Sequence, residues 1–379
     1  MKKTLVVIAC LGAFTSAWAQ PTETPEPPPG WWLIPKTKTQ MKVGGYVKLD
    51  FIHDFNPIAS PDFFDVSKIP TDGSQGQSTH LHAKETRLFW DVTTPSKVGK
   101  LRAYAEGDFY GTNGAFRLRH AFVEIGGKWL AGQWWSNFMD ENIIPNTLDF
   151  EKPAAYAFKR DAMLRYKHAL SEHAYFAVAV EEPSTNAQTP AQPGKFESPL
   201  PDITARYRLT KKWGHIQLSA FTAKLVYRFT DNTKDAVTLY GANLSGQVNF
   251  NESRNKIIYQ AVYGQGVGRY RGGLSAGLDD QGNLQALSEG GLTLGLEHQW
   301  NAAFSSLFVY NTGFVNNSDG QPGNALKRAD YAAANLVWHF ADNAFAGVEY
   351  LWGLRRDFDD EEGTANRLQL SVRYSFNMK

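Results

Sequence analysis

Apolar and polar residues alternate with a period of two through most of the chain from Met41 onward. The last segment shows the pattern most clearly. Its apolar face holds Leu368, Leu370, Val372, Tyr374 and Phe376, and its polar face holds Arg367, Gln369, Ser371, Arg373 and Ser375. Such alternation predicts β-strands that have one face in an apolar medium and the other in water.

The pattern recurs in sixteen segments. They are 41–53, 82–93, 100–110, 116–125, 129–135, 160–169, 173–182, 202–210, 214–227, 238–248, 256–266, 291–300, 304–313, 329–340, 344–352 and 365–376. Connections after even-numbered segments are short, such as Lys211 to Trp213, whereas most of those after odd-numbered segments are long, such as Gly353 to Thr364. Aromatic residues near segment ends, among them Tyr110, Trp300 and Trp338, suggest the girdles of a membrane barrel.

An open sheet edge in lipid would leave backbone groups unpaired, so a sheet of this kind must close. The sequence therefore predicts an all-β fold: a transmembrane antiparallel β-barrel of sixteen strands over residues 41–379, with short periplasmic turns and long external loops. A barrel of this size encloses an aqueous channel rather than a packed core.

Two segments precede the barrel. Residues 1–19 combine Lys2 and Lys3, an apolar run from Leu5 to Phe14 and a small-residue site ending at Ala19, which predicts a secretory signal peptide. A lipoprotein cleavage box ending at Cys10 is the alternative. Residues 20–40 form a proline-rich periplasmic leader, in which five of the eleven residues from Gln20 to Gly30 are proline.

Composition narrows the function classes. The 379 residues include 39 basic and 38 acidic side chains, so bulk attraction to nucleic acid is not expected. No segment after residue 19 reaches the roughly 18 apolar residues of a membrane helix. No nucleophile elbow between a strand and a helix is predicted, and the single cysteine offers no disulfide or thiolate metal site. We therefore expect no enzyme activity, no cofactor and no metal site.

The polar faces of the strands supply the predicted pore lining. An arginine or lysine on the lipid face at mid-depth costs about 2–4 kcal/mol, so these side chains are expected to point inward. The candidate solute-selecting residues are Lys48, Arg87, Arg102, Glu106, Asp108, Arg117, Arg119 and Arg165. Arginine suits carboxylate solutes because its planar fork binds two oxygens. Solvated wall charge, partly neutralised by the acidic residues, remains the alternative.

The fourth segment departs from strict alternation. If Phe116, Leu118 and Phe122 face the lipid, His120 and Glu124 share that face. A subunit interface for His120 and a position at the rim for Glu124 would account for them. Neither residue has a second ligand at close spacing, so they predict no metal site.

Four stretches carry a resemblance to a known family. They are GGYVKLDFIHDF at 44–55, FRLRHAFVEIG at 116–126, LAGQWWSNFMD at 130–140 and RLQLSVRYSF at 367–376. The chain resembles the DcaP-like trimeric outer-membrane porins over nearly its whole mature length. The resemblance implies a homotrimer that passes small, often anionic solutes. In two respects the chain departs from the family: the leader replaces a helical extension, and three residues follow Phe376.

The resemblance also implies that the third external loop, Ser136 to Lys159, folds inward as a constriction. Its acidic residues Asp140, Glu141, Asp149 and Glu151 are then expected to face the arginines of strands two to four and to create a transverse field. The alternative is an ordinary external loop with solvated acids.

The sequence thus predicts an outer-membrane porin for passive diffusion of small polar solutes, anionic carboxylates in particular. Its expected partners are outer-membrane lipid, two further copies of the chain and the solutes. A receptor or adhesin barrel, and an outer-membrane hydrolase, are the alternatives.

Overall fold

Sixteen long strands form one closed antiparallel barrel in the computed structural model, which describes residues 27–151 and 153–377. The strands are β1 Gln40–Asp54, β2 Arg87–Ser96, β3 Gly99–Asp108, β4 Arg117–Ile125, β5 Trp129–Trp135, β6 Arg160–Ala169, β7 Ala174–Glu181, β8 Asp202–Lys211, β9 Gly214–Phe229, β10 Lys234–Phe250, β11 Asn255–Gln265, β12 Ser288–Gln299, β13 Phe304–Asn316, β14 Leu326–Ala341, β15 Ala344–Asp357 and β16 Glu362–Phe376. The predicted signal peptide and residues 20–26 of the leader lie outside the described residues.

The first and last strands close the barrel. Strand β1 pairs with β16 in antiparallel register from Gly45 opposite Phe376 to Asp54 opposite Arg367. This pairing satisfies the edges that an open sheet would expose to lipid. The predicted sixteen-stranded barrel is confirmed.

Large apolar side chains cover the outer face of the barrel. Val47, Leu218 and Leu294 are each more than half exposed, and the residues next to them along each strand face the lumen. A soluble protein rarely exposes so continuous an apolar surface. The surface fits the hydrocarbon of a bilayer.

The connections differ in length at the two ends. Residues 97–98, 212–213 and 342–343 link strands by short turns, whereas 136–159 and 266–287 are long. The predicted long connection Gly353 to Thr364 is mostly strand, because β15 and β16 keep pairing as far as Arg356 opposite Glu362. Continued pairing satisfies backbone groups that a loop would leave to water.

The second predicted strand, 82–93, is also revised. A short strand, Ser78–His82, pairs with the outer half of β1, and β2 begins only at Arg87. At the other end, Trp32–Leu33 of the leader pairs with the start of β1. None of the helices among the described residues is long and apolar enough to cross a membrane.

A β-bulge explains the irregular fourth segment. Glu106 pairs with His120 and Gly107 with Leu118, so Arg119 is the extra residue. A one-residue insertion reverses the two faces of the strand that follows. Before the bulge the even-numbered residue Leu118 points outward, whereas after the bulge the odd-numbered residue Val123 does so. His120, Phe122 and Glu124 face the lumen, which corrects their predicted placement on the lipid side.

Candidate functional site

Residues 136–159, which we call the inner loop, leave β5 and run inside the barrel. Backbone amides of the loop donate to side chains on the inner face of the wall: Ala155 to Asn311 Oδ1 and Ala157 to Gln260 Oε1, both at 2.9 Å. The Phe158 amide donates to the Tyr270 carbonyl at 2.7 Å. The loop thus lines the wall and narrows the lumen.

Arg206 of β8 holds the start of the inner loop. Its guanidinium donates to the carbonyls of Asn137 at 2.9 Å, Met139 at 2.6 Å and Ser136 at 3.2 Å. Glu141 Oε2 lies 3.3 Å from the same guanidinium. Since Arg206 is fully buried, it is a structural anchor rather than a channel-lining charge.

Asp140 is bound to the same side of the barrel. Its carboxylate accepts from Arg208 at 3.1 Å, His215 at 2.8 Å and Ser245 at 3.0 Å. Burial disfavours the charged form, but the hydrogen bond with His215 and the charge of Arg208 outweigh it and hold the pKa of Asp140 below its usual value. The carboxylate is therefore ionised and fully paired.

The tip of the inner loop is held by the closing strands. Asp149 Oδ2 lies 2.9 Å from Arg367, which also binds Asp54. The amides of Leu148 and Asp149 donate to Glu349 at 2.8 and 2.9 Å. Lys48 donates to the Leu148 carbonyl at 2.5 Å. These contacts fix the loop against β1, β15 and β16.

The acidic residues of the inner loop are therefore placed differently from the expected position opposite the arginines of strands two to four. Asp140 and Asp149 pair with arginines of β8 and β16 and do not face the arginines of β2 to β4. Glu141 lies beside Arg206, and the Glu151 amide donates to Asp149. Lys48, predicted to line the pore, is only 2 % exposed because it is also paired with Asp50 and Glu85.

Strands β2 to β4 carry the predicted arginines on one wall, and each arginine has an acidic neighbour. Arg102 and Asp91 form a two-point pair at 2.9 Å. Arg117 binds Asp108 at 2.8 and 2.9 Å. Arg119 forms ion pairs with Glu106 and Asp108, both at 2.8 Å, and Arg87 lies 3.6 Å from Glu106. Much of the positive charge of this wall is thus neutralised locally.

Phe150 of the inner loop covers part of this wall. The guanidiniums of Arg117 and Arg119 lie 5.5 and 5.3 Å from its ring centre, a cation–π distance. Tyr110, predicted as a girdle residue, instead contacts Phe150 with ring centres 4.5 Å apart. Beneath this cover Arg119 is nearly fully buried.

Three other arginines of the barrel strands have no carboxylate within 4.0 Å among the described residues: Arg160, Arg165 and Arg373. Arg160 lies over the ring of Trp135 at 5.2 Å, beside Arg119. Arg165 was predicted to line the pore, and its register partner Leu130 faces the lumen. The sequence analysis did not select Arg160 or Arg373, although the polar face of the last strand includes Arg373.

A cavity of about 1090 Å³ lies beneath the inner loop, toward the end of the barrel with short turns. Arg373, Lys256, Glu297 and His339 are among its polar lining residues. The lumen on this side is thus wide and polar.

The fold resembles those of outer-membrane barrels of known structure. The outer membrane channel DcaP of Acinetobacter baumannii is 24% identical, with a TM-score of 0.82 over 91% of this chain and 99% of that one. An anion-selective porin from Comamonas acidovorans is 12% identical, with a TM-score of 0.61 over 89% of this chain and 100% of that one.

A trimer form of OmpT from Vibrio cholerae is 11% identical, with a TM-score of 0.58 over 89% of this chain and 99% of that one. None of the curated proteins compared with the chain matches it. The DcaP outer membrane protein family matches residues 32–376, which include every strand of the barrel. The chain therefore belongs to the DcaP outer membrane protein family and resides in the bacterial outer membrane.

Proposed function

We propose that the protein is a porin through which small polar solutes diffuse passively, with a preference for anions such as carboxylates. A sixteen-stranded barrel is wide enough for an aqueous channel, and its inner face here is polar. The similarity of the fold to that of the outer membrane channel DcaP supports a channel function for this chain as well. The proposal assigns no catalytic step to the chain.

The observation that carries the anion preference is the set of lumen arginines without acidic partners, Arg160, Arg165 and Arg373. Fixed charges that line a pore attract counter-ions and repel ions of like charge. Arg102 and Arg117 remain one-third exposed beside their carboxylates, so they add hydrogen-bond donors for a passing carboxylate. The anion-selective porin with the same fold supports this assignment.

We also propose a homotrimer, supported by the trimer form of OmpT. The solute path would run between the inner loop and the wall of β2 to β4, with Phe150 at its edge. Asp140, Glu141 and Asp149 of the inner loop act in this proposal mainly by holding the loop in place.

Recording from purified protein in planar bilayers tests the function. We expect conductance in three equal steps per insertion and a reversal potential, in a potassium chloride gradient, of the sign that marks chloride preference. Folded protein that inserts without conducting would disprove the porin function. Cation preference would disprove the anion assignment alone.

A further inference from the structure

Two histidines and an aspartate converge at the external end of the barrel. His80 Nε2 lies 2.9 Å from Asp62 Oδ1, and His82 Nε2 lies 3.8 Å from the same oxygen. One ligand atom from each of the three residues falls within 4.8 Å of the other two. Asp62 comes from the first external loop, and the histidines come from the short strand Ser78–His82.

The strand geometry explains the convergence. Side chains two residues apart in a strand point to the same face, so His80 and His82 both project toward Asp62. Pairing with β1 sets His80 opposite Ile52 and His82 opposite Asp50. The strand thus holds two imidazoles in a fixed relation, and the loop brings the carboxylate.

His82 is the second observation that points to a ligand. Its side chain is only 4% exposed, and its Nε2 atom has no hydrogen-bond partner. Leaving a buried polar atom unpaired is unfavourable. This atom is directed into the cluster, where a bound cation would satisfy it.

We propose that Asp62, His80 and His82 bind a divalent transition-metal ion of the zinc class, which the sequence analysis did not predict. Two imidazoles and one carboxylate are a ligand set that suits Zn²⁺, with a solvent molecule in the fourth position. His80, about one-third exposed in its side chain, leaves an approach from solvent. In a tetrahedral site the ligand atoms stand about 3.3 Å apart, so the side chains need only small adjustments.

Two neighbouring side chains affect metal binding in opposite directions. Asp50 Oδ2, which has no hydrogen-bond partner, lies 3.9 Å from His82 Nδ1. In the structure Nδ1 accepts from the Lys84 amide at 3.3 Å, so metal binding through Nε2 requires the other tautomer of the ring. Asp50 can accept the Nδ1 proton of that tautomer, as carboxylates beside ligating histidines commonly do. Lys84 donates to Asp62 Oδ2 at 2.5 Å, so its positive charge opposes a cation while leaving Oδ1 available.

Metal binding at this position would fasten the first external loop to the wall. Asp62 lies in the long connection between β1 and the short strand, whereas His82 is part of the wall beside β1. The bound ion would join the two and stiffen the rim of the barrel without entering the proposed solute path.

Calorimetric titration of tag-free, chelator-treated protein with Zn²⁺ tests the site. We expect about one ion per chain, with affinity at least about tenfold weaker in His82→Gln and His80→Gln. His53→Gln is the matched control, because His53 binds Thr79 outside the cluster, and it should bind zinc as the parent protein does. Lys84→Gln should bind zinc more tightly.

Each variant is first checked for barrel folding by its heat-dependent gel migration. His80→Gln carries the test if His82→Gln does not fold, because His80 is the more exposed side chain. Absence of saturable zinc binding, equal binding of Ca²⁺, or unchanged binding in folded His80→Gln would overturn the proposal.

Discussion

At the scale of single residues, the charge that an arginine adds to the lumen depends on the carboxylates around it. Arg102 shares its guanidinium with Asp91 in a two-point pair, so the pair as a whole is neutral. Arg160 and Arg165 have no such partner among the described residues. These two side chains should therefore set the ion preference more than the paired arginines do.

Replacing Arg160 and Arg165 together by serine should reduce the preference for chloride. A unit charge about 8 Å away across water is worth roughly 0.5 kcal/mol, so we expect at least about a twofold fall in the chloride-to-potassium permeability ratio for each arginine. Reversal potentials in a salt gradient measure this ratio.

Joint replacement of Asp91 by asparagine and Arg102 by serine is the matched control, because it removes a complete ion pair and leaves the net charge unchanged. The ratio should stay at its parental value in this control. Equal effects of the two double replacements would show that local pairing does not govern selectivity.

At the scale of elements, the inner loop depends on buried charges from distant strands. Arg206 serves three carbonyls and a carboxylate of the loop, and Arg367 joins the loop tip to β1 through Asp149 and Asp54. If either arginine lost these contacts, charged and polar groups of the loop would remain buried without partners, which is unfavourable. The loop is therefore part of the barrel structure.

Arg206→Met should loosen the inner loop. Breaking a buried charge contact costs about 3–5 kcal/mol, so we expect a loss of this order in the free energy of unfolding and larger current fluctuations in the open channel. Urea unfolding and single-channel recording measure the two effects.

The control for Arg206→Met is Arg228→Met, because Arg228 pairs with Glu197 in a partly exposed position away from the loop. Its loss should leave the free energy of unfolding close to the parental value, because exposed ion pairs contribute little to stability, and it should leave the current unchanged. Quiet, parental currents in Arg206→Met would contradict the anchoring role.

The sequence predicted these elements unequally, for physical reasons. The alternation of apolar and polar residues depends only on whether each strand face contacts lipid or water, so it predicted all sixteen strands. It failed after Arg119, because the bulge depends on pairing with Glu106 and Gly107 of β3. The partners of Asp140 and Asp149 come from β8, β9, β10 and β16, and no local pattern records which strands meet across a lumen. The cluster of His80 and His82 was missed for the same reason, since Asp62 arrives from a loop.

At the scale of the whole molecule, the outer surface decides in which medium the barrel is stable. Leu294 stands near the middle of β12, between Tyr259 and Tyr310 in register, and is 59% exposed. In water, a leucine so exposed would contribute little to folding. In a bilayer, the same side chain contacts hydrocarbon.

Leu294→Arg separates these two situations. An arginine on the lipid face near mid-depth costs about 2–4 kcal/mol, so the free energy of folding into phospholipid vesicles should fall by that amount when it is measured by urea titration. Ser305→Arg introduces the same charge on the inner face, where Ser305 borders the polar cavity, and should change stability by less than about 1 kcal/mol. Equal losses in the two variants would contradict the assignment of the outer face to lipid.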